Sequence, residues 1–165
     1  TEAETAGWLS HNYTTTPGDV SLPAGLSSAS SLGNIHTDLT ISGGDWQASS
    51  ISLAAHDTVT ISGTVRLYVT GDTTITGSGK IVIASGGKLE VYSAGNVSIA
   101  GNGVTNNSTT PDKNQWFGLS SSTSWSMSGN ADWIGTVYAP QATLATSGNG
   151  EASGAMVGFN LGGIV

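Results

Sequence analysis

Along this chain apolar and polar residues alternate over three to five positions and then stop at Gly, Asn or Ser, as in Val59-Thr60-Ile61-Ser62-Gly63 and Leu89-Glu90-Val91. A period of two predicts short strands with one face turned inward. The Gly or Asn that follows predicts a tight corner, since such turns often need a positive φ, which Gly adopts without steric cost. The pattern also recurs. Residues 68–79 align without a gap to residues 92–103, an offset of 24 that superposes Tyr68 on Tyr92, Gly71 on Gly95, Asp72 on Asn96, Ile75 on Ile99 and Gly77 on Gly101. A second pairing, at an offset of 30, sets Ile51, Leu53, Val59 and Ile61 against Ile81, Ile83, Leu89 and Val91, and reads residues 51–103 as two copies of one unit. Downstream, residues 129–137 match 148–156 at an offset of 19. Periods of about 20–30 residues mark solenoids, in which equivalent positions stack at roughly 4.8 Å and build inward ladders. The reading is therefore all-β, a parallel β-helix. A β-sandwich also has many short strands, but sandwiches rarely repeat at fixed offsets.

The repeat divides the chain. Residues 1–40 lack it and carry the polar runs Thr14-Thr15-Thr16-Pro17-Gly18 and Ser27-Ser28-Ala29-Ser30-Ser31, which read as an N-terminal arm or cap. The solenoid is expected over 41–165, with an inserted loop at about 104–125 projecting from one face. A solenoid has two open ends whose unpaired backbone groups must be covered, so the arm is expected to cap its own chain or pair with a neighbour. The apolar stretch Ala155-Met156-Val157-Gly158-Phe159-Asn160-Leu161 reads as a strand that invites a partner.

Composition narrows the setting. Only 9% of residues are charged, against about a quarter in ordinary soluble proteins, while Gly occupies 24 positions. The formal net charge of −7 would repel a phosphate backbone, which argues against nucleic acid as a partner. No apolar run approaches the roughly 20 residues that a membrane-spanning helix needs, so no membrane insertion is expected. There are no cysteines, which excludes disulfides and thiolate metal sites. The first residue is Thr1 and not Met, which fits a processed secreted form or a piece of a longer protein.

Leu67-Tyr68-Val69-Thr70-Gly71-Asp72, Gly101-Asn102-Gly103 and Gly135-Thr136-Val137-Tyr138-Ala139-Pro140 resemble an uncharacterised bacterial family of secreted β-solenoid domains, found in pilus-accessory and surface proteins. The resemblance covers about 100 residues. It implies a right-handed parallel β-helix and an extracellular setting, and brings no catalytic residues with it. In architecture the chain is also loosely similar to bactofilins, β-helical proteins that polymerise end to end.

Candidate chemistry is sparse. Asp57, Asp72, Glu90, Asp132 and Glu151 are the carboxylates available to a polysaccharide hydrolase or lyase, which needs two of them facing across a sugar or a metal with a basic partner. The competing reading makes them turn residues that accept backbone hydrogen bonds. His11, His36 and His56 have no metal-ligand spacing. Calcium could use corner oxygens, including those of Asp19 and Asp45, yet the calcium-solenoid nonapeptide is absent, and no cofactor is assigned. Of the five tryptophans, Trp8, Trp116, Trp125 and Trp133 are candidates for interface or glycan contact, with Trp116 and Trp125 in the projecting loop. Folding back to cover a coil is the alternative for both. Asn12, Asn106 and Asn107 head candidate glycosylation sequons.

These observations lead to a structural, self-assembling subunit of an extracellular filament or surface layer, with other copies of itself as partner. A carbohydrate-binding or adhesive module is the second reading, and a polysaccharide-active enzyme the third.

Overall fold

The computed structural model describes residues 17–129 and 132–162. Sixteen strands among these residues are β1 (Ser30–Ser31), β2 (Asn34–Ile35), β3 (Leu39–Ile41), β4 (Gly44–Ala48), β5 (Ser50–Leu53), β6 (Thr58–Ile61), β7 (Thr64–Val69), β8 (Thr73–Ile75), β9 (Lys80–Ile83), β10 (Lys88–Ser93), β11 (Val97–Ile99), β12 (Val104–Asn106), β13 (Asn114–Gly118), β14 (Ser124–Gly129), β15 (Trp133–Gly148) and β16 (Ala152–Gly162). All their pairings are parallel. The chain is a β-solenoid of about six turns.

The first face stacks β1, β4, β7, β10, β13, the front half of β15 and the front half of β16. The second stacks β2, β5, β8, β11, β14 and the back halves of β15 and β16, while β3, β6, β9 and β12 form a third. Inward columns follow from the alternation. Ile35, Ile51, Thr73, Val97, Trp125 and Leu144 form one, and Leu53, Ile75, Ile99 and Met127 another. Each fully buried aliphatic side chain contributes about 1.5–3 kcal/mol relative to exposure. The offset of 24 is one coil, since Tyr68 pairs with Tyr92 and Ile75 with Ile99. The offset of 19 is another coil, pairing Val137 with Met156. The offset of 30 is not a coil: Ile51 stacks on Thr73 and Val59 on Ile81, so that pairing compared strands from different faces.

Coil length varies along the stack. From Ser30 to Trp46 is 16 residues, from Trp46 to Leu67 21, from Leu67 to Val91 24, from Val91 to Trp116 25, from Trp116 to Val137 21 and from Val137 to Met156 19. Beyond β12 the third face is lost, and its inward column Ile41, Ile61, Ile83 ends at Asn106. Asn106 is 6% exposed, and its amide donates to the carbonyls of Thr110 and Ile134 at 2.8 and 3.1 Å. A polar side chain here satisfies backbone carbonyls that a further third-face strand would otherwise meet.

Two expected boundaries shift. The first coil already spans 30–41, so the arm gives way to solenoid near residue 29 and not 40. Most of 104–125 is coil: β12, β13 and the start of β14 occupy it, leaving short connections at 107–113 and 119–123 in place of one projecting loop.

The described part of the arm lies on its own chain. A 3-10 turn at Leu26–Ser28 packs beside β4 and β7 and buries Leu26 completely. The Gln47 amide donates to Ser27 O at 2.7 Å, and the Tyr138 hydroxyl to Gly18 O at 2.7 Å. Gln47, Tyr68, Tyr92, Phe117 and Tyr138 are successive rungs of one outward ladder. Residues 18–27 therefore run along the stack across these rings, spanning four rungs, about 19 Å at the strand spacing. Under this strap Tyr92 stacks on Phe117 with centroids 4.9 Å apart, and burial raises the Tyr92 hydroxyl above its ordinary pKa.

One column carries a misfit. The Thr73 hydroxyl is buried without a hydrogen-bond partner between Ile51 and Val97. Thr73→Val keeps the shape and removes the unpaired group, so it is expected to stabilise the fold by about 1 kcal/mol, read from the urea midpoint at unchanged m value.

Candidate functional site

The carboxylates singled out from the sequence sit at separate places. Asp57 Oδ2 accepts the Ala54 N–H at 3.0 Å within its own turn between the second and third faces. Asp72 stands between the first and second faces, where its Oδ1 accepts Asn96 N–H at 2.9 Å, and Asn96 Oδ1 in turn accepts Thr123 and Ser124 N–H. Glu90 pairs with Lys88 at 2.6 Å on the first face. Asp132 and Glu151 alone are stacked neighbours, with Asp132 Oδ1 accepting the Glu151 N–H at 2.9 Å. Asp72 and Asp132 thus tie one coil to the next through backbone N–H groups, while Asp57 closes its own turn, all three accepting backbone hydrogen bonds as the turn reading expects. Asp45 lies on the first face beside Arg66, whose hydrogen bonds hold the Asp45 carboxyl below its ordinary pKa. Asp19 accepts from Gln141 Nε2 at 2.6 Å, fastening the strap a second time. His36 and His56 are exposed and on different coils, and no group of three or more His, Asp or Glu gathers among the described residues.

Three of the tryptophans are inside. Trp116 is 0%, Trp125 1% and Trp133 7% exposed. Trp116 meets Trp125 edge-on at 6.1 Å and Trp133 at 6.0 Å. Polar neighbours that face inward make this possible: Trp116 Nε1 donates to Asn114 Oδ1 at 2.7 Å, and Trp125 Nε1 to Ser122 Oγ at 2.7 Å. The expected glycan or partner contact by these three rings is therefore corrected. They fill the core where it narrows from three faces to two, and these three rings offer no face to a sugar. Trp8, His11 and Asn12 lie outside the described residues. Asn106 is corrected as a glycosylation candidate, since its amide is buried and bonded. Asn107 is exposed beside it.

What the sequence reading located only in outline is the far end. Beyond β12 the missing third face leaves a trough of about 770 Å³, lined by Ile99, Val104, Met127, Trp133 and Met156 and bordered by Asp132 and Glu151. Beyond β15 lies one more layer, β16, and among the described residues nothing pairs its outer edge. Leu161 stacks on Leu144 in an inward column, yet it is 45% exposed because the column stops there. Phe159 stands at the corner and is 78% exposed. No charged residue interrupts residues 152–162. Edge strands are commonly guarded by lysine, proline or a covering element, and among the described residues β16 has none of these.

Parallel coils around a ladder core define a β-solenoid module whose only large uncovered apolar side chains among the described residues are at its last coil. The chain belongs to the DUF7305 family, a domain of unknown function, which it matches over residues 13–162. Comparison with curated proteins and with solved structures gives no match.

Proposed function

We propose that the chain is a structural, self-assembling subunit of an extracellular filament or surface layer, joined to other copies through its last coil. The observation that carries this reading is the bare β16 edge with Phe159 and Leu161 uncovered. An edge of unpaired N–H and C=O groups beside exposed apolar side chains gains both hydrogen bonds and buried area from a second strand. Low charge leaves little repulsion against close packing. The resemblance to secreted solenoid domains of bacterial pilus-accessory and surface proteins supports the setting, and the looser likeness to bactofilins supports end-to-end joining.

Light scattering and negative-stain imaging across a range of concentrations test the reading. Association that grows with concentration is expected, and it should disappear in Phe159→Lys combined with Leu161→Lys, which places two charges on the joining surface without touching the inner coils. A monomer at every concentration would overturn the proposal.

A further inference from the structure

The two ends of the stack differ in what they leave uncovered. At the last coil Met156 is half-buried and Phe159 and Leu161 are exposed, whereas at the first coil Ile35 and Ile41, where two of the inward columns begin, are buried. A joint that carried the parallel stack onward would set Met156 over Ser30 of the next copy and Val157 over Ser31, because these residues stand in the same two columns of the first face. Apolar side chains would then meet hydroxyls. We propose instead that the last coils of two copies face each other across a two-fold axis, with β16 paired antiparallel to β16. This deepens the assembly reading, on which it rests, by naming what the last coil joins: the same surface of a second copy.

The register follows from the bend in β16. Its front half, paired to residues 133–139, runs toward the corner at Phe159, and its back half, paired to residues 143–145, runs away from that corner. A two-fold axis through the corner lays the back half of one copy over the front half of the other and reverses their directions. Inward residues must meet inward residues, since a slip by one would turn the core side to solvent. Met156 and Leu161 are inward, following the buried Val137 and Leu144, while Val157 and Asn160 follow the outward Tyr138 and Thr143. The register that also sets the two uncovered column ends together pairs Met156 with the second copy's Leu161, Val157 with its Asn160 and Gly158 with its Phe159. Each copy then covers the other's columns. The paired stretch is residues 155–162 of β16, so Asp132 and Glu151 stay outside it.

Cysteine cross-linking reads this register directly, because the chain has no cysteine of its own. Three full-length chains carry Val157→Cys, Asn160→Cys or Ser31→Cys, all at outward positions, and are mixed in pairs with oxidised glutathione as the oxidant. Opposed residues of antiparallel strands have Cα atoms about 4.5–5.5 Å apart, inside the roughly 4.4–6.8 Å that a disulfide spans. The mixture of Val157→Cys with Asn160→Cys is expected to give at least about tenfold more covalent dimer than either chain alone. Linkage of Val157→Cys to Ser31→Cys in its place would mean head-to-tail stacking, which overturns the two-fold joint and leaves the assembly reading standing. Association seen by light scattering without either linkage overturns the joint as well. A second readout needs no cysteine: Leu161→Asp and Met156→Lys should each weaken association alone, and mixing the two chains should restore it about tenfold, since the two new charges meet only across the axis. Absence of that rescue also overturns the joint. A parent chain that stays monomeric at every concentration would sink the joint and the assembly reading together.

Discussion

Gly101→Val is expected to cost roughly 3–5 kcal/mol, enough to unfold a domain of ordinary stability, while Gly86→Ala changes little. The two glycines differ in what surrounds them. Gly77, Gly101, Gly129 and Gly148 stack at one corner of successive coils, all with positive φ. A Cβ on Gly101 would stand 2.0 Å from Gly77 O, and one on Gly148 2.1 Å from Gly129 O, distances no side chain can occupy. The backbones of adjacent coils meet there directly, so any side chain must push whole coils apart, and the left-handed φ of 66° adds its own strain. Gly86 sits in a turn with nothing within 4 Å of a Cβ. Urea unfolding of the two variants beside the parent checks the prediction. A Gly101→Val chain as stable as the parent would mean that the coils do not stack in this register.

Trp116→Ala is expected to destabilise by about 3–5 kcal/mol, whereas Trp116→Phe should lose about 1–3 kcal/mol. The first change empties the centre of the ring cluster with Trp125 and Trp133. The second keeps most of the volume but strands Asn114 Oδ1, the buried acceptor of the indole N–H. Both follow from a ring that is wholly inside. Thermal and urea unfolding decide the matter, and a Trp116→Ala chain of unchanged stability would return the ring to the surface and reopen sugar stacking.

How far the sequence discloses this architecture depends on which signal is consulted. Tyr68 over Tyr92 and Gly129 over Gly148 are legible because side chains of one type recur where coils of nearly constant shape meet. The offset of 30 misleads for a physical reason: strands on all three faces alternate alike, so Val59 and Leu89 look equivalent although they lie on different faces. Alternation identifies a strand without saying which face it joins. The stretch 104–125 reads as loop because Asn106, Asn114 and Ser122 are polar, yet these residues point inward and serve buried carbonyls and indole N–H groups. Polarity there records internal hydrogen bonding and not exposure. The first coil escapes notice because β1 and β2 have two residues each, too few to display a period. The apolar run at 155–161 does point to the bare end, though only the stacking of Leu161 on Leu144 identifies it as the end of a core column.

The strap has a consequence for the order in which the chain can take shape. Contacts between coils join residues about 16–28 apart, so layers can add one after another as sequence becomes available. The bond from Tyr138 to Gly18 joins residues 120 apart, and that from Gln141 to Asp19 joins residues 122 apart. Residues 18 and 19 of a nascent chain must therefore wait for residues 138 and 141 before they can be fastened. The strap works as a latch that closes only once β15 is in place, and chains halted before β15 are left without its two fastenings.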